Sequence, residues 1–276
     1  MDIKDITVII TTFKSENKLY PCLNSIPESI KILVIENSDN EELKKKINLS
    51  YPNVECILTG SNMGYSVANN IGLSKVTTEF ALVLNPDTLV EKDTFTNFLK
   101  AADQFPDFWL MGPANHQSRK KIATQSFLEV ENIKGFAIFF NMKKFQNKFF
   151  DENYFLYFEE IDLCKRVKIE KGKIYVDPKI NIHHDGAKSV ETKTQHELEK
   201  NRNWHWMWST FYFHKKYKGF LIALIIILPK LISSFLKIIF FQLIFNLEKR
   251  EIYLNRLSGL INSILGRKSW RRPTID

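Results

Sequence analysis

The sequence has few cysteines, and none of them has metal-binding spacing. Cys22, Cys56 and Cys164 are widely separated in a chain of 276 residues, and their number is odd. They therefore form neither a zinc ligand set nor an even disulfide framework, so a reducing cytosolic setting is expected. The first residues, MDIKDITVII, place acidic side chains before a short apolar run, which is not the pattern of a secretory signal.

The sequence also lacks internal repeats and low-complexity stretches. The 39 basic and 31 acidic residues give a formal charge of +8, which favours an anionic partner. Many of the basic residues lie from position 215 onward, where they flank or interrupt the most apolar part of the chain. This arrangement suits a membrane face and argues against a nucleic-acid partner.

Alternating short apolar runs and helical patterns predict an α/β fold. Residues 6–11, 31–36, 54–58 and 80–84 are continuously apolar, as expected for strands covered on both faces of a parallel sheet. Residues 19–25, 41–49 and 66–75 have room for the crossover helices. Residues 1–105 are therefore predicted to form a Rossmann-like, nucleotide-binding half.

The following residues, 106–200, are predicted to add an acceptor half with a mixed sheet. Strands are predicted at 121–127, 133–140 and 173–176, and a helix at 160–171. Residues 1–200 would then be the catalytic domain. Residues 201–276 would be an aromatic, basic and apolar helical region associated with a membrane.

The segment 219–247, GFLIALIIILPKLISSFLKIIFFQLIFNL, is apolar but broken by Pro229, Lys230 and Lys237. A spanning helix needs about 20 apolar residues with few charges. We therefore predict two amphipathic pieces that lie in the membrane interface and bend at Pro229, with the lysines reaching the headgroups. A buried helical pair and a true transmembrane helix are the alternatives.

Polar residues follow the first two predicted strands, where α/β sheets bind ligands. The candidates for nucleotide contacts are Thr11, Thr12, Phe13, Glu16, Glu36, Asn37 and Ser38. A glycine-containing turn then enters a helix and adds Asn62, Gly64, Asn69 and Asn70. Either group alone is also compatible with ordinary turns, because Asn, Asp, Ser and Gly are turn residues.

Leu84-Asn85-Pro86-Asp87 directly follows a buried strand. A carboxylate at Asp87 can bind Mg²⁺ or Mn²⁺, which prefer oxygen ligands and bridge diphosphate oxygens, and Asn85 can contact the nucleotide. Ile182-His183-His184-Asp185-Gly186 later supplies imidazoles, of which at most one should reach the metal. Lys188 could approach a phosphate.

Residues 149–166, FFDENYFLYFEEIDLCKR, combine carboxylates with aromatic rings. Apolar surroundings raise a carboxylate pKa, and aromatic rings offer faces on which sugars stack, so a general base is plausible there. Acidic residues at a helix start are also stabilised by the helix dipole without any catalytic role.

These segments, in this order, resemble glycosyltransferase family 2, whose members have the GT-A fold and invert configuration, and in particular its bacterial rhamnosyltransferase-like members. The family's NxGxxxANNxG, LNPD, YFEDxDLCxR and H-H-x-G-x-S motifs correspond to residues 62–72, 84–87, 157–166 and 183 onward. The resemblance implies that Asp87 is a metal ligand with His183, and that Glu160, beside Glu159, is the catalytic base. The sequence departs from the family pattern at Lys14, Glu36 and Glu160, and it lacks the glycine pair that the family has before Asp151-Glu152.

The resemblance also implies the remaining contacts and partners. Acceptor or sugar contacts would come from Tyr157, Phe158, Asp162, Arg166, His184 and Lys188. The expected donor is a dTDP- or UDP-sugar carrying rhamnose or a similar hexose, and the expected acceptor is a glycan or a lipid-linked glycan of cell-surface polysaccharide synthesis. The expected location is the cytoplasmic side of the bacterial inner membrane, peripheral or monotopic.

Two other interpretations stay open at this point. A nucleotidyltransferase also places acids after α/β strands, but it predicts a Gly/Arg-rich loop, and residues 11–16 contain no glycine. A catalytically impaired membrane scaffold or glycan-binding protein is conceivable because of the Glu160 departure. Donor hydrolysis or sugar transfer in the presence of Mn²⁺ would distinguish an active enzyme from such a protein.

Overall fold

The computed structural model describes residues 1–114, 127–146, 148–184 and 195–273. The chain forms two compact units. The first comprises Met1–Asp151 and Glu160–Val190, and the second comprises Glu152–Glu159 and Glu191–Asp276. The predicted domain boundary at residue 200 falls inside a helix, and the sequence did not indicate that residues 152–159 belong with the C-terminal region.

The first unit contains a mixed sheet of eight strands. In chain order they are β1 (Ile6–Thr12), β2 (Lys31–Glu36), β3 (Val54–Leu58), β4 (Phe80–Leu84), β6 (Phe108–Pro113), β7 (Leu128–Glu129), β8 (Ala137–Asn141) and β9 (Lys173–Asp177). Their order across the sheet is β3-β2-β1-β4-β8-β6-β9-β7. The first four are parallel, whereas β8 is antiparallel to both β4 and β6. The predicted mixed α/β sheet is therefore confirmed.

Helices α1 (Glu16–Asn24), α2 (Glu41–Ser50), α3 (Tyr65–Leu73), α4 (Thr94–Gln104) and α5 (Glu159–Ile169) accompany this sheet, although Glu159 itself groups with the second unit. The two faces of the sheet contribute to two buried apolar clusters, because neighbouring residues such as Ile9 and Ile10 point to opposite sides. Continuous apolarity in β1, β2 and β4 thus reflects double coverage, as predicted.

The bounds of β1 to β4 and α1 to α3 agree closely with the sequence prediction, whereas α4 and β6 were not predicted. Differences arise later, where β8 begins at Ala137 and not at residue 133, because a turn at residues 135 and 136 precedes it. Most of the strand predicted at 121–127 lies outside the described residues. A second, two-stranded sheet pairs β5 (Thr88–Val90) with β10 (Ile182–His184) in antiparallel register.

The second unit contains three long helices, α6 (Gln195–Lys218), α7 (Phe220–Leu243) and α8 (Leu247–Ile264). They share a small apolar core of Met207, Phe211, Ala223, Ile227 and Leu260. Gly259 lets α8 approach α6, because a Cβ there would overlap the carbonyl oxygen of Trp204.

The prediction of two helical pieces bent at Pro229 is wrong in one respect, since α7 is a single helix with Pro229 inside it. A proline removes one helical hydrogen bond without necessarily ending the helix. Packing of Ala223 and Ile227 before the proline, and burial of Ser234 after it, holds both halves in place.

Candidate active site

Parallel pairing brings the ends of the first strands to one edge of the sheet. Thr12 at the end of β1 lies opposite Glu36 at the end of β2, and Ile10 lies opposite Leu84 at the end of β4. The turns that follow these strands carry the predicted nucleotide-binding and metal-binding residues. A cavity of about 340 Å³ lies instead at the amino ends of β2 and β3, lined by residues such as Lys31 and Glu55, and is not part of this edge.

Glu36 stabilises its own turn. Its buried carboxylate accepts hydrogen bonds from Ser38 Oγ at 2.6 Å, from the Ser38 N–H at 3.1 Å and from the Asn40 N–H at 3.2 Å. Asn40 also donates from its side chain to Glu16 at 2.9 Å. A nucleotide contact by Glu16, Glu36 or Ser38 stays a prediction, and any such contact would share atoms already used by the turn.

Asn37 joins this turn to the one that precedes α3. Its amide nitrogen lies 3.2 Å from Asn62 Oδ1 and 3.3 Å from the carbonyl of Gly64, while its Oδ1 accepts from the Met63 N–H at 2.9 Å. Gly64 has φ = 88°, a value that favours glycine, and it caps the N-terminus of α3. Residues 62–64 therefore stabilise this turn, and a nucleotide contact by them stays a prediction.

The neighbouring asparagines of α3 also have intramolecular partners. Asn69 is fully buried and accepts a hydrogen bond from Thr11 Oγ1 at 3.0 Å. Asn70 donates to the carbonyl of Phe150 and accepts from its N–H, both at 2.9 Å. Asn70 thus holds the loop before the predicted base in place, which was the alternative to a direct nucleotide contact.

The end of β1 and the turn after it contain a buried hydroxyl group without a hydrogen-bond partner among the described residues. This group is Thr12 Oγ1, whereas Ser15 Oγ donates to the carbonyl of Phe13 at 2.8 Å. Lys14 has φ = 47°. Phe13 is half-buried, which is compatible with the predicted nucleotide contact.

Asp87 is a carboxylate in the turn that follows β4. It is buried, its Oδ1 makes no hydrogen bond within the part of the chain that the structure describes, and Nε2 of His184 lies 3.3 Å from that oxygen. The His184 ring stacks on Phe136 with centroids 4.6 Å apart and planes inclined by 7°. A buried carboxylate oxygen without a hydrogen bond is costly unless a cation or solvent reaches it.

The structure corrects the choice of histidine. His183 was expected to join Asp87, but its Nε2 lies 3.0 Å from Glu91 Oε1 on the exposed side of β10. His183 is opposite the exposed Leu89 in β5, whereas His184 is opposite the buried Thr88. Because side chains alternate along a strand, only one of the two histidines can face Asp87, and it is His184.

These residues fit a divalent cation whose remaining ligands come from elsewhere. Among the described residues, no group of three or more His, Cys, Asp or Glu side chains converges on one point. Mg²⁺ commonly takes one or two protein ligands and completes its shell with water and substrate phosphates. The Oδ1 atom of Asp87 and the nearby imidazole of His184 are such a pair.

Glu160 is the second residue of α5 and packs beside Gly135. A Cβ added to Gly135 would lie 3.5 to 3.6 Å from Cβ, Cγ and Cδ of Glu160. Burial raises the pKa of Glu160, although nearby N–H groups at the helix start and the charge of Lys134 partly oppose the shift. A raised pKa suits a carboxylate that must accept a proton near neutral pH.

A chain of contacts connects Glu160 to the Asp87 region. The hydroxyl of Tyr65 donates to the carbonyl of Gly135 at 2.9 Å and lies 3.2 Å from Asn85 Oδ1. The Asn85 N–H donates to the carbonyl of Phe136 at 2.9 Å. Adjacent residues 135 and 136 therefore contact both groups, with Glu160 against Gly135 and His184 against Phe136.

Asp162 and Arg166, two of the predicted acceptor contacts, form an ion pair with each other, and an acceptor contact by Arg166 stays a prediction. Asp162 is fully buried, so it is not accessible to a sugar, and it accepts from Arg166 Nε at 2.9 Å. The guanidinium also donates to the carbonyls of Lys148 and Phe149. The pair fixes the loop before α5, because residues four apart on a helix lie on the same face.

Of the other predicted acceptor residues, His184 lies beside Asp87 in the first unit, whereas Tyr157 and Phe158 belong to the second unit. The rings of Tyr157 and Phe158 each lie 5.3 Å from the ring of Trp206, which is 40% exposed. Glu159 is buried. Lys188 lies outside the described residues.

The sequence prediction missed Tyr65, Gly135 and Phe136. Tyr65 follows the glycine turn, and Gly135 and Phe136 precede a strand that pairs with β4, so that Ala137 lies opposite Leu84. No local pattern marks such residues. The signal lies in the pairing of β8 with β4, which the sequence does not display.

Comparison with known proteins agrees with this geometry. The profile of the glycosyl transferase family 2 domain matches residues 7–164, more than half of the chain. The chain belongs to glycosyltransferase family 2. Its fold is GT-A, with the parallel strands β1 to β4 continued by the mixed part of the sheet.

Two curated relatives share 25% identity with the chain. One is the low-salt glycan biosynthesis hexosyltransferase Agl10 of Haloferax volcanii, aligned over 62% of this chain and 64% of its own length. The other is the rhamnosyltransferase WbbL of Escherichia coli, aligned over 61% of this chain and 79% of its own. The chain thus spans less than two thirds of the first relative.

A solved structure shares the fold. It is the mannosyltransferase PcManGT from Pyrobaculum calidifontis in complex with GDP-Man and Mn²⁺, with a TM-score of 0.60 and 11% identity. The match covers 96% of this chain and 88% of that chain.

Proposed function

We propose that this glycosyltransferase is an inverting, metal-dependent hexosyltransferase that uses a nucleoside diphosphate sugar. The observation that supports the proposal is that His184, which lies beside Asp87, stacks on Phe136, while Glu160 packs beside the adjacent Gly135. Such a site needs one group that binds the diphosphate region and another that accepts a proton from the incoming alcohol.

In this mechanism Glu160 accepts the proton of an acceptor hydroxyl. The hydroxyl oxygen then forms a bond to the anomeric carbon while the bond from that carbon to the diphosphate oxygen breaks, so configuration is inverted. Asp87 and His184 would hold the divalent cation, whose chemistry is to neutralise the charge that develops on the leaving diphosphate. Tyr65 keeps residues 85 and 135 together and so supports both carboxylates.

The donor and acceptor follow from the relatives rather than from any bound group. The names of the two relatives, a hexosyltransferase of glycan biosynthesis and a rhamnosyltransferase, favour rhamnose or a similar hexose. We propose a dTDP- or UDP-sugar as the donor and a glycan or lipid-linked glycan as the acceptor. Tyr157 and Phe158 would contact the acceptor, because their rings are half-exposed and can stack on a sugar.

A thermal-shift panel of UDP-, dTDP- and GDP-sugars with Mn²⁺ tests the donor. Because a ligand that binds only the folded protein stabilises it, a donor at 100 times its Kd should add about 2.7 kcal/mol to the free energy of unfolding. The donor that binds should then support sugar transfer by the unaltered protein. Transfer near the wild-type rate by both Asp87→Ala and Glu160→Gln would contradict the proposed site.

We also propose that the second unit binds the cytoplasmic surface of a bacterial inner membrane through α7. This helix is the one candidate for a membrane span within the described residues, by length and composition only, with a mean hydropathy of 2.2 in its most apolar window and 17% of that window buried. At 100° per residue, Leu221, Ile225, Leu228, Ile232 and Ile239 share one exposed face.

The charges around α7 favour an anionic surface. No acidic residue occurs between Glu199 and Glu248, whereas seven basic residues do. Lys230 and Lys237 are seven residues apart and share the side of α7 opposite this apolar face, and Lys237 Nζ lies 3.1 Å from the hydroxyl of Tyr253 on α8. Lysines on the side opposite an apolar face suit a helix that lies in the interface better than one that crosses the membrane.

Flotation with liposomes tests the membrane proposal. The full chain should float with vesicles that contain anionic lipid and should bind less to neutral vesicles, because each basic residue near an anionic surface contributes about 1 kcal/mol. Alkaline carbonate should release the protein if α7 lies in the interface. Absence of flotation with either kind of vesicle would contradict the proposal.

A further inference from the structure

The segment Glu152–Glu159 leads directly into Glu160, yet it groups with the helices of the second unit. Its last residues before α5, Tyr157 and Phe158, have φ values of 68° and 72°. Two consecutive bulky residues in the left-handed region are unfavourable, and such a conformation persists only where the surroundings hold it. The contacts of this segment within the second unit supply that support.

Helix α6 provides the first part of the support for segment 152–159. Ser209 Oγ donates to the carbonyl of Leu156 at 3.0 Å, and the ring of Tyr212 meets Tyr154 edge-on with centroids 5.0 Å apart. His205 stacks on Phe155 with centroids 4.5 Å apart. The three residues of α6 thus contact three successive residues of the segment.

The C-terminal tail, residues 267–273, provides the rest. The guanidinium of Arg272 lies 3.9 Å from the centre of the Phe155 ring, a cation–π contact. His205, which also contacts Phe155, has Ser269 Oγ and the carbonyl of Arg271 each 2.9 Å from its ring nitrogens. Trp208 Nε1 donates to the carbonyl of Arg267 at 3.0 Å.

The protonation state of His205 is defined by these partners. A carbonyl oxygen can only accept, so Nε2 carries the proton and Nδ1 accepts from Ser269. Burial lowers the pKa of His205 to about 3, so the ring stays neutral at physiological pH. The tail is thus attached to α6 by contacts that do not titrate near neutrality.

We propose that the tail, and Arg272 in particular, is a positioning device for the catalytic base. Arg272 and His205 contact Phe155. The strained residues 157 and 158 follow it in the chain, and Glu160 lies two residues after Phe158. Loss of the Arg272 contact loosens segment 152–159 and thereby moves or frees the start of α5. The inference rests on the proposed role of Glu160, and Arg272 itself touches no reacting atom.

Hydrogen exchange of the full-length chain tests the first half of this proposal without any ligand. Arg272→Met keeps an apolar stem but removes the cation, and Arg272→Lys keeps a cation. Lys268→Met is the matched control, because it removes one exposed charge from the same tail. Amides of residues 153–159 should exchange roughly 2- to 30-fold faster in Arg272→Met, as expected for the loss of a cation–π contact.

Arg272→Lys should restore much of the protection, and Lys268→Met should match the unaltered protein. Exchange in β1 and β4 should not change in any of the three. Equal exchange of residues 153–159 in Arg272→Met and the unaltered protein would overturn the proposal. Should Arg272→Met prevent folding, Ser269→Ala takes its place, since it removes a hydrogen bond to His205 and leaves every tail charge intact.

Steady-state kinetics test the second half, with the donor that the nucleotide-sugar panel identifies. Arg272→Met should lower kcat about tenfold or more, as a displaced catalytic group does, while KM for the donor stays within about twofold. Faster exchange with unchanged kcat would overturn the positioning role. Failure of the unaltered protein to transfer sugar would instead contradict the proposed function, and the exchange comparison would still decide whether the tail holds the segment.

Discussion

Replacing the two adjacent histidines one at a time is the sharpest test of the proposed metal site. His184 Nε2 lies 3.3 Å from Asp87 Oδ1, whereas His183 pairs with Glu91 on the outer side of the same strand. The two residues have the same chemistry and differ by one position in sequence. A difference between His184→Ala and His183→Ala therefore reports on geometry alone.

The expected magnitudes follow from these positions. Loss of a group beside a metal commonly costs about 10–100-fold in metal affinity, which corresponds to about 1.4 to 2.8 kcal/mol, so His184→Ala should raise the Mn²⁺ concentration for half-maximal transfer by at least about tenfold. The His183–Glu91 pair has side chains 71% and 45% exposed, and such pairs contribute about 0–1 kcal/mol. His183→Ala should therefore leave the Mn²⁺ requirement nearly unchanged.

The assay is a Mn²⁺ titration of sugar transfer, with donor-dependent thermal shift as a second readout. Melting in the absence of metal serves as the control, because His184→Ala also loses the stacking contact with Phe136. A larger rise in the Mn²⁺ requirement for His183→Ala than for His184→Ala would refute the reasoning.

Three further outcomes are expected. Glu160→Gln should lower kcat roughly 10²- to 10⁴-fold, because the amide cannot accept the proton. It should also raise the melting temperature at about pH 7–8. Burial raises the folded-state pKa of Glu160, so the carboxylate makes the fold less stable as pH rises through that pKa, and the neutral amide removes this penalty. For the same reason the acid limb of the kcat/KM profile should lie above the pH at which an exposed glutamate titrates, and a limb at the ordinary value would contradict the assigned environment. Asn70→Ala should destabilise the chain by about 1–3 kcal/mol in urea unfolding, because both backbone groups of Phe150 lose their partner, whereas a change within about 0.5 kcal/mol would show that the loop does not depend on it. Ile225→Glu on the exposed face of α7 should weaken liposome flotation without a change in melting temperature, and undiminished flotation would mean that another surface binds the lipid.

The sequence alone determined the parallel part of the sheet, β1 to β4. Apolar runs at β1 to β4 are covered on both faces, and such runs between helices have essentially one arrangement, a parallel sheet with polar turns at its carboxyl edge. That reasoning predicted that Asp87 follows β4 at this edge, as it does in the structure. The motif resemblance added Glu160, which pattern alone left open as a helix-start residue.

Only the tertiary structure decided which side chains meet. The alternation of β10 against β5 selects His184 over His183, and burial assigns Asp162 and Arg166 to a structural pair. The pairing of β8 with β4 brings Phe136 to the β4 end of the sheet, and Phe155 is held by His205 and Arg272, which lie far along the chain. These contacts join residues distant in sequence, so their existence depends on chain packing and not on any local pattern.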